Sequence, residues 1–331
     1  MSNCEAGYFH RPTTLQIVGV DPLTDLGKPP RVALIAPPIL EHRLSVGLQA
    51  RVLPRGIFLF DFEEWKTELS LSDRKSDDRL AVQAKCASLL NVHLACLYTA
   101  IHNSDQSVVI PRHMHISCFD MILLRHDAVG SPAALYEMSP HASEELVHWL
   151  GRPAREFDLV KITIETISQS FELFDRILEI DDDYVVTVVE LLLRARNSIE
   201  ESDYVVSLML AWAAIEQLLN ALWERFIAEN RIRIVDGQSQ TLINVERKKR
   251  LTSQDFTASI VSEILSLSGN LPFDLFEQIT QARRARNAWL HRLESVKRKD
   301  AEAAIGSARQ MLKLVHHIEL RWYFVHHSLR G

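Results

Sequence analysis

The chain lacks every cysteine pattern that organises metal or disulfide chemistry. Its four cysteines, Cys4, Cys86, Cys96 and Cys118, form no C-x-x-C pair and show no regular spacing. That excludes a zinc ribbon and a disulfide framework and points to reduced, buried thiols. An apolar leader is also missing: Met1 to Pro12 carries Glu5, His10 and Arg11, so no secretory signal is expected. The longest apolar stretches, near Cys86–Ile101 and Val205–Ile227, are broken by Asn91, His93, Glu216 and Gln217. Such residues are costly in lipid, so the expectation is a cytoplasmic protein with no membrane span. There is no G-x-S-x-G, no Walker loop, no H-E-x-x-H, no internal repeat and no low-complexity tract. Excess positive charge is lacking too. A net charge of -6 argues against an all-round polyanion binder and leaves room only for a local basic patch.

What is present suits two globular domains: 331 residues, 47% apolar and 24% charged. Leu15–Val18, Val32–Ile35, Leu44–Leu53 and Ile57–Phe62 are short β-like runs punctuated by Pro and Gly, and they predict a small sheet. Asp78–His102 has helix-period apolar positions. Val108–Arg125 favours strand, and short helices are expected at Ser143–Leu150 and across Leu159–Ile180. His113-x-His115 falls on one face of such a strand, half of a metal site, with no third ligand at suitable spacing.

The second half reads as helix throughout. Tyr184–Glu201 and Tyr204–Glu229 come first, the latter apolar nearly all round and therefore central. Asn230–Leu251, polar and basic with Arg247-Lys248-Lys249-Arg250, reads as a loop or partly disordered insertion. Phe256–Leu267, Phe273–Leu290 and Asp300–His327 follow, the first two separated by Ser268-Gly269-Asn270-Leu271-Pro272, a stop and restart signal. Trp212, Trp223 and Trp289 fall on core positions. His316-His317 and His326-His327 are adjacent pairs whose members diverge by ~100° on a helix, a poor chelating geometry.

Chemistry concentrates in Arg286-Asn287-Ala288-Trp289-Leu290-His291. One Arg and one His in a pocket suffice to cleave RNA without a metal, because the imidazole moves a proton while the guanidinium stabilises charge on the phosphate. On a continuous helix Asn287 and His291 share a face, whereas Arg286 and His291 lie about 140° apart. Either the helix ends near Trp289 and His291 turns back, or the pair is completed across a two-fold axis by a second subunit. Arg283, Arg284, Arg286, Arg292, Lys297, Arg298 and Lys299 surround the single acid Glu294. With Lys248 and Lys249 they form a candidate RNA-binding patch. Glu216 is a carboxylate on the most apolar helix. Buried, it requires a partner such as Arg284 or Arg286; at the core edge, it reaches solvent.

Arg286-Asn287-x-x-x-His291, following a long helix that bears Ala-Ile-Glu-x-Leu at Ala214–Leu218, resembles the HEPN superfamily (higher eukaryotes and prokaryotes nucleotide-binding domain). The likeness covers roughly residues 182–327, and the preceding helix near Ala81–His102 is similar to that of the larger ApeA-like members of prokaryotic defence systems. The resemblance implies an antiparallel helical bundle that dimerises with both motifs in one cleft. It implies metal-independent RNA cleavage in which the ribose 2′-hydroxyl attacks the adjacent phosphate, leaving a 2′,3′-cyclic phosphate and a 5′-hydroxyl. His291 would be acid/base or leaving-group stabiliser, Arg286 the phosphate clamp and Asn287 the polar residue that follows the Arg. Toxins of this superfamily that are controlled by nucleotide transfer onto a Tyr carry it two residues after the His; here that residue is Leu293.

The resulting expectation is an α+β N-terminal domain over residues 1–180, of sensing or gating role, followed by an all-α HEPN-like bundle over 181–331. The bundle is an endoribonuclease with no cofactor and no metal, acting as a homodimer in a toxin or antiphage defence setting with a regulatory partner or antitoxin. The alternative is a non-catalytic dimerisation or RNA/nucleotide-binding scaffold. A third reading gives the first domain an enzymatic role through His113, His115 and a metal.

Overall fold

A computed structural model describes residues 4–9, 14–17, 37–53, 56–69, 76–104, 115–117, 120–126, 132–135, 159–180, 182–235, 238–253 and 255–322. The expected strand at Val32–Ile35, the helix at Ser143–Leu150, and His113, Cys118, His326 and His327 lie outside these residues. The chain divides into two compact units, Met1–Glu190 with Leu320–Gly331, and Leu191–Glu319. The division falls ten residues later than 180/181, and the chain comes back to the first unit after Glu319.

The first unit is built on a six-stranded antiparallel sheet of order β3-β4-β5-β1-β6-β7. Its strands are β1 (Cys4–Phe9), β3 (Leu40–Arg43), β4 (Gln49–Leu53), β5 (Ile57–Phe60), β6 (Ile122–His126) and β7 (Pro132–Leu135). The expected run Leu44–Leu53 is in fact a hairpin turn followed by β4, with Gly47 at φ 94 closing the turn where a side chain would be strained. β1 is central, and Gly7 within it is required. A Cβ there would sit 2.0 Å from the Phe58 carbonyl oxygen and 2.7 Å from Leu59 Cδ2. β2 (Thr14–Ile17) pairs in parallel with β8 (Leu159–Ile162). Leu159–Ile162 is therefore strand, not the first turn of the expected helix, because a four-residue apolar run carries no period of its own.

α1 (Phe62–Trp65) follows β5, and α2 (Ser76–Asn103) and α3 (Ile164–Leu178) supply the helical part of the unit. α2 and α3 pack against each other, and from Asn91 to Ile101 every α2 residue is buried. The return segment crosses α2: Arg321 N donates to Thr99 Oγ1 at 3.1 Å and Trp322 Nε1 to the Ala95 carbonyl at 3.3 Å.

A polar triad joins sheet to helices. Ser170 Oγ donates to the Ile167 carbonyl at 2.6 Å, so it accepts from His93 Nε2–H at 3.2 Å. His93 Nδ1 is then the acceptor for the Tyr8 hydroxyl at 2.8 Å. One neutral tautomer satisfies all three groups. Phe58, Phe60, Phe171 and Phe174 enclose the imidazole, with ring centroids 4.9 to 5.4 Å away. Burial in this box depresses the His93 pKa to about 3.

α4 (Asp183–Glu200) runs across the division between the units. The second unit otherwise comprises α5 (Tyr204–Glu229), β9 (Ile232–Val235), β10 (Gln238–Thr241), α6 (Val245–Leu251), α7 (Ala258–Leu267), α8 (Phe273–Arg292) and α9 (Arg298–His316). An α+β region followed by a mainly helical one is thus the observed layout. Residues 230–251 are a correction: a hairpin and a short helix replace the expected loop. α5 is central, with α7, α8 and α9 packed on it. Its N-terminus is capped by Asp203, whose carboxylate accepts from Val206 N at 3.0 Å. α9 packs on α5 and α8 and buries Ala301, Ala304, Ile305, Ala308, Met311 and Leu312. Two helices, Asp78–Asn103 and Tyr204–Glu229, are long and apolar enough to cross a membrane by length and composition.

Candidate functional site

α8 carries the Arg–His motif. It starts after Pro272, and its buried stripe is Leu275, Ile279 and Ala282. Arg286 is the next position on that stripe, about 20° from Leu275 at ~100° per residue. A guanidinium thus occupies a core-facing place. Its Nη1 donates to Asn287 Oδ1 at 3.0 Å, and its Nε is buried without a hydrogen-bond partner among the described residues. Trp212 Nε1 is buried without a partner among the described residues in the same way; at Arg286 the open donor is one that a water or a ligand oxygen can satisfy.

The helix does not end near Trp289. It continues through Arg292, and Leu293, at φ 53 and ψ 30, terminates it in the left-handed region with its N–H on the Trp289 carbonyl at 2.8 Å. His291 therefore stays on the helix and is exposed, pointing about 140° from Arg286. Asn287 shares the His291 side of the helix and is half-buried. Within one chain the motif places Arg286 and Asn287 together and leaves His291 apart. Of the two arrangements open from the sequence, the turned-back His291 is ruled out.

No family model, curated protein or solved structure matches the chain.

The surrounding cations divide into paired and unpaired sets. Arg292 is hydrogen-bonded to Glu294, and Arg298 Nε lies 2.7 Å from Glu302 Oε1. Arg283, half-buried, and Arg284, exposed, form no ion pair among the described residues, nor do exposed Lys248 and Lys249 on α6. Glu216 is half-buried on α5 and makes no ion pair with Arg284 or Arg286, which fits the core-edge alternative. Trp212 and Trp223 are core residues at 3% and 5% exposure, while Trp289 is half-buried.

Of the His-x-His run only His115 is among the described residues, and among these no group of three or more His, Cys, Asp or Glu is placed to hold an ion. His115 Nε2 instead lies 3.4 Å from Glu190 Oε1 and 3.2 Å from Asn91 Nδ2. Sequence reasoning missed Arg233 of β9 and Arg231 just before it. Their signal is the alternation Arg-Ile-Arg-Ile-Val before Asp236-Gly237, a dipeptide that favours hairpins by its composition.

Proposed function

We propose that this protein is an endoribonuclease whose working site is assembled from two copies of α8. The observation that carries this reading is the Arg286 guanidinium, steered by Asn287, with a buried Nε that has no acceptor among the described residues. A bridging phosphate supplies that acceptor. His291 of the same helix faces another way, so the pair acts on one phosphate when a second subunit brings its own α8 alongside.

In the reaction the ribose 2′-hydroxyl loses its proton to a base and its oxygen attacks phosphorus. The P–O5′ bond breaks, and the departing oxygen takes a proton. Products are a 2′,3′-cyclic phosphate and a 5′-hydroxyl, with no net redox change and no water consumed. His291 is the proton-moving group, Arg286 neutralises the equatorial phosphate oxygens, and Asn287 fixes the guanidinium. Arg283, Arg284, Arg292, Lys248 and Lys249 hold the flanking phosphates. The setting is a cytoplasmic, HEPN-like toxin or defence nuclease held in check by a regulatory partner, with the α+β unit sensing or gating.

The rival is a scaffold that binds RNA without cutting, favoured by the separation of Arg286 and His291 on one helix. Wild type and His291→Ala are incubated with end-labelled single-stranded RNA and with tRNA in excess EDTA. Cleavage by wild type alone, leaving cyclic phosphate ends, supports the nuclease. Equal binding by both without cleavage supports the scaffold.

A further inference from the structure

The hairpin β9–β10 stands out from the helices that carry it. Every described side chain of the two strands is exposed, on both faces. A two-stranded ribbon alone is marginal in water, so its anchorage matters. At its base Leu242 N and Ile243 N both donate to the Arg231 carbonyl, at 2.9 and 3.3 Å, and Ile243 is buried. Arg247 Nη1 donates to the Leu242 carbonyl at 2.8 Å, and the Asn244 side chain caps α6 by accepting from Arg247 N at 2.8 Å. The far end of α6 is held by α5: Trp223 Nε1 donates to the Leu251 carbonyl at 2.8 Å, and the Trp223 ring stacks on Phe256 at 5.8 Å. Hairpin and helix form an arm fixed at both ends and bare between.

The arm's charge names its occupant. Residues 231–250 hold six basic side chains against two acidic ones, in a chain of net charge -6. Arg231, Arg233, Lys248, Lys249 and Arg250 are all exposed and form no ion pair among the described residues. On the other helices of this unit Arg292, Arg298 and Lys313 each have a glutamate. The register Ile232↔Thr241, Arg233↔Gln240, Ile234↔Ser239 sorts the ribbon into an Arg/Gln face and an Ile/Ser/Thr face. Ile232 and Ile234 are 56% and 75% exposed. A second copy docking here would set like charges against each other. A polyanion does not, and the amides of Gln238 and Gln240 add hydrogen bonds that a ribose and base edge can use.

We propose that the β9–β10 ribbon and α6 form an RNA-gripping arm, separate from the motif helix: Arg231, Arg233, Lys248, Lys249 and Arg250 hold backbone phosphates, and Ile232 and Ile234 lie against exposed bases. The proposal rests on the reading of this unit as one that acts on RNA, and it extends that reading from the two α6 lysines to a whole element.

The test uses the full chain and a fluorescent 2′-O-methyl RNA, which cannot be cut by 2′-hydroxyl attack, so binding is read without cleavage. In a variant with all five cations changed to Gln, affinity falls at least about 100-fold and the slope of log K against log salt drops by about 3. Arg231→Lys with Arg233→Lys, in an otherwise wild-type chain, keeps the slope. Circular dichroism and thermal melting confirm that both variants are folded. Wild-type and Gln-variant binding that agree within a factor of two overturn the arm, whether or not wild type cuts ordinary RNA. Loss of binding in a chain that never cuts ordinary RNA supports the arm and overturns the nuclease. A wild type that ignores RNA overturns both, and one that instead binds phosphatidylserine vesicles through the same cations makes the arm a membrane contact.

Discussion

Arg286 is tethered by its own neighbour: its Nη1 donates to Asn287 Oδ1 at 3.0 Å while its Nε is buried with no partner among the described residues. The contact holds the guanidinium on the core-facing stripe of α8, where the proposed reaction uses it as a phosphate clamp. Asn287→Ala removes the tether and leaves the charge. Activity on RNA is expected to fall about 10- to 100-fold, mostly in kcat, since a misaligned clamp loses transition-state contacts before it loses charge attraction. Steady-state kinetics on a short RNA check this, and an unchanged kcat would show that the tether has no catalytic consequence.

His93 makes the first unit acid-sensitive. Its folded pKa, about 3, lies below the ordinary unfolded value near 6.5. The neutral buried imidazole therefore contributes stability that is fully present above about pH 6.5 and is lost progressively as pH falls toward 3. The full span corresponds to on the order of 5 kcal/mol. Thermal melts between pH 7 and 4 should show the loss, and His93→Gln should flatten it; parallel curves for the two proteins would remove His93 as the cause.

Asn91 acts as a surrogate strand for Ile116. Its Oδ1 accepts from Ile116 N at 2.7 Å and its Nδ2 donates to the Ile116 carbonyl at 2.8 Å, all buried. Asn91→Leu leaves a backbone donor and acceptor unsatisfied and should cost about 2–4 kcal/mol. Asn91→Asp keeps the acceptor and loses the donor, and it adds a buried charge, so it should be no milder. Urea unfolding of both variants measures the difference.

Leu293 ends α8 with a positive φ that a β-carbon disfavours, and its side chain is 79% exposed. Leu293→Gly should raise stability by about 0.5–1 kcal/mol, read as a higher melting temperature. A lower one would overturn the view that the leucine is an exposed, strained helix terminus.

The helices were legible because their apolar residues repeat at 3.6-residue spacing over many turns. Tyr204–Glu229 was read to the residue and Asp78–His102 to within two of Ser76–Asn103. The sheet was only half legible. Runs such as Cys4–Phe9 and Leu40–Arg43 are too short to show a period, and their strand character depends on partners far along the chain. The 230–251 segment is hard to read because its density of charge resembles that of a loop, although Ile-Arg-Ile-Val followed by Asp-Gly favours a hairpin.

The sequence by itself determined the helical second half, the Arg286-Asn287-x-x-x-His291 spacing and the concentration of basic residues, since each is a local property of the chain. Tertiary structure alone decided that Arg286 takes a core-facing position while His291 faces away, that Arg231 and Arg233 form no ion pair among the described residues, and that His93 is sealed between Tyr8 and Ser170. Burial and hydrogen-bond partners depend on which elements pack together, and contacts between residues remote in sequence leave no local pattern to read.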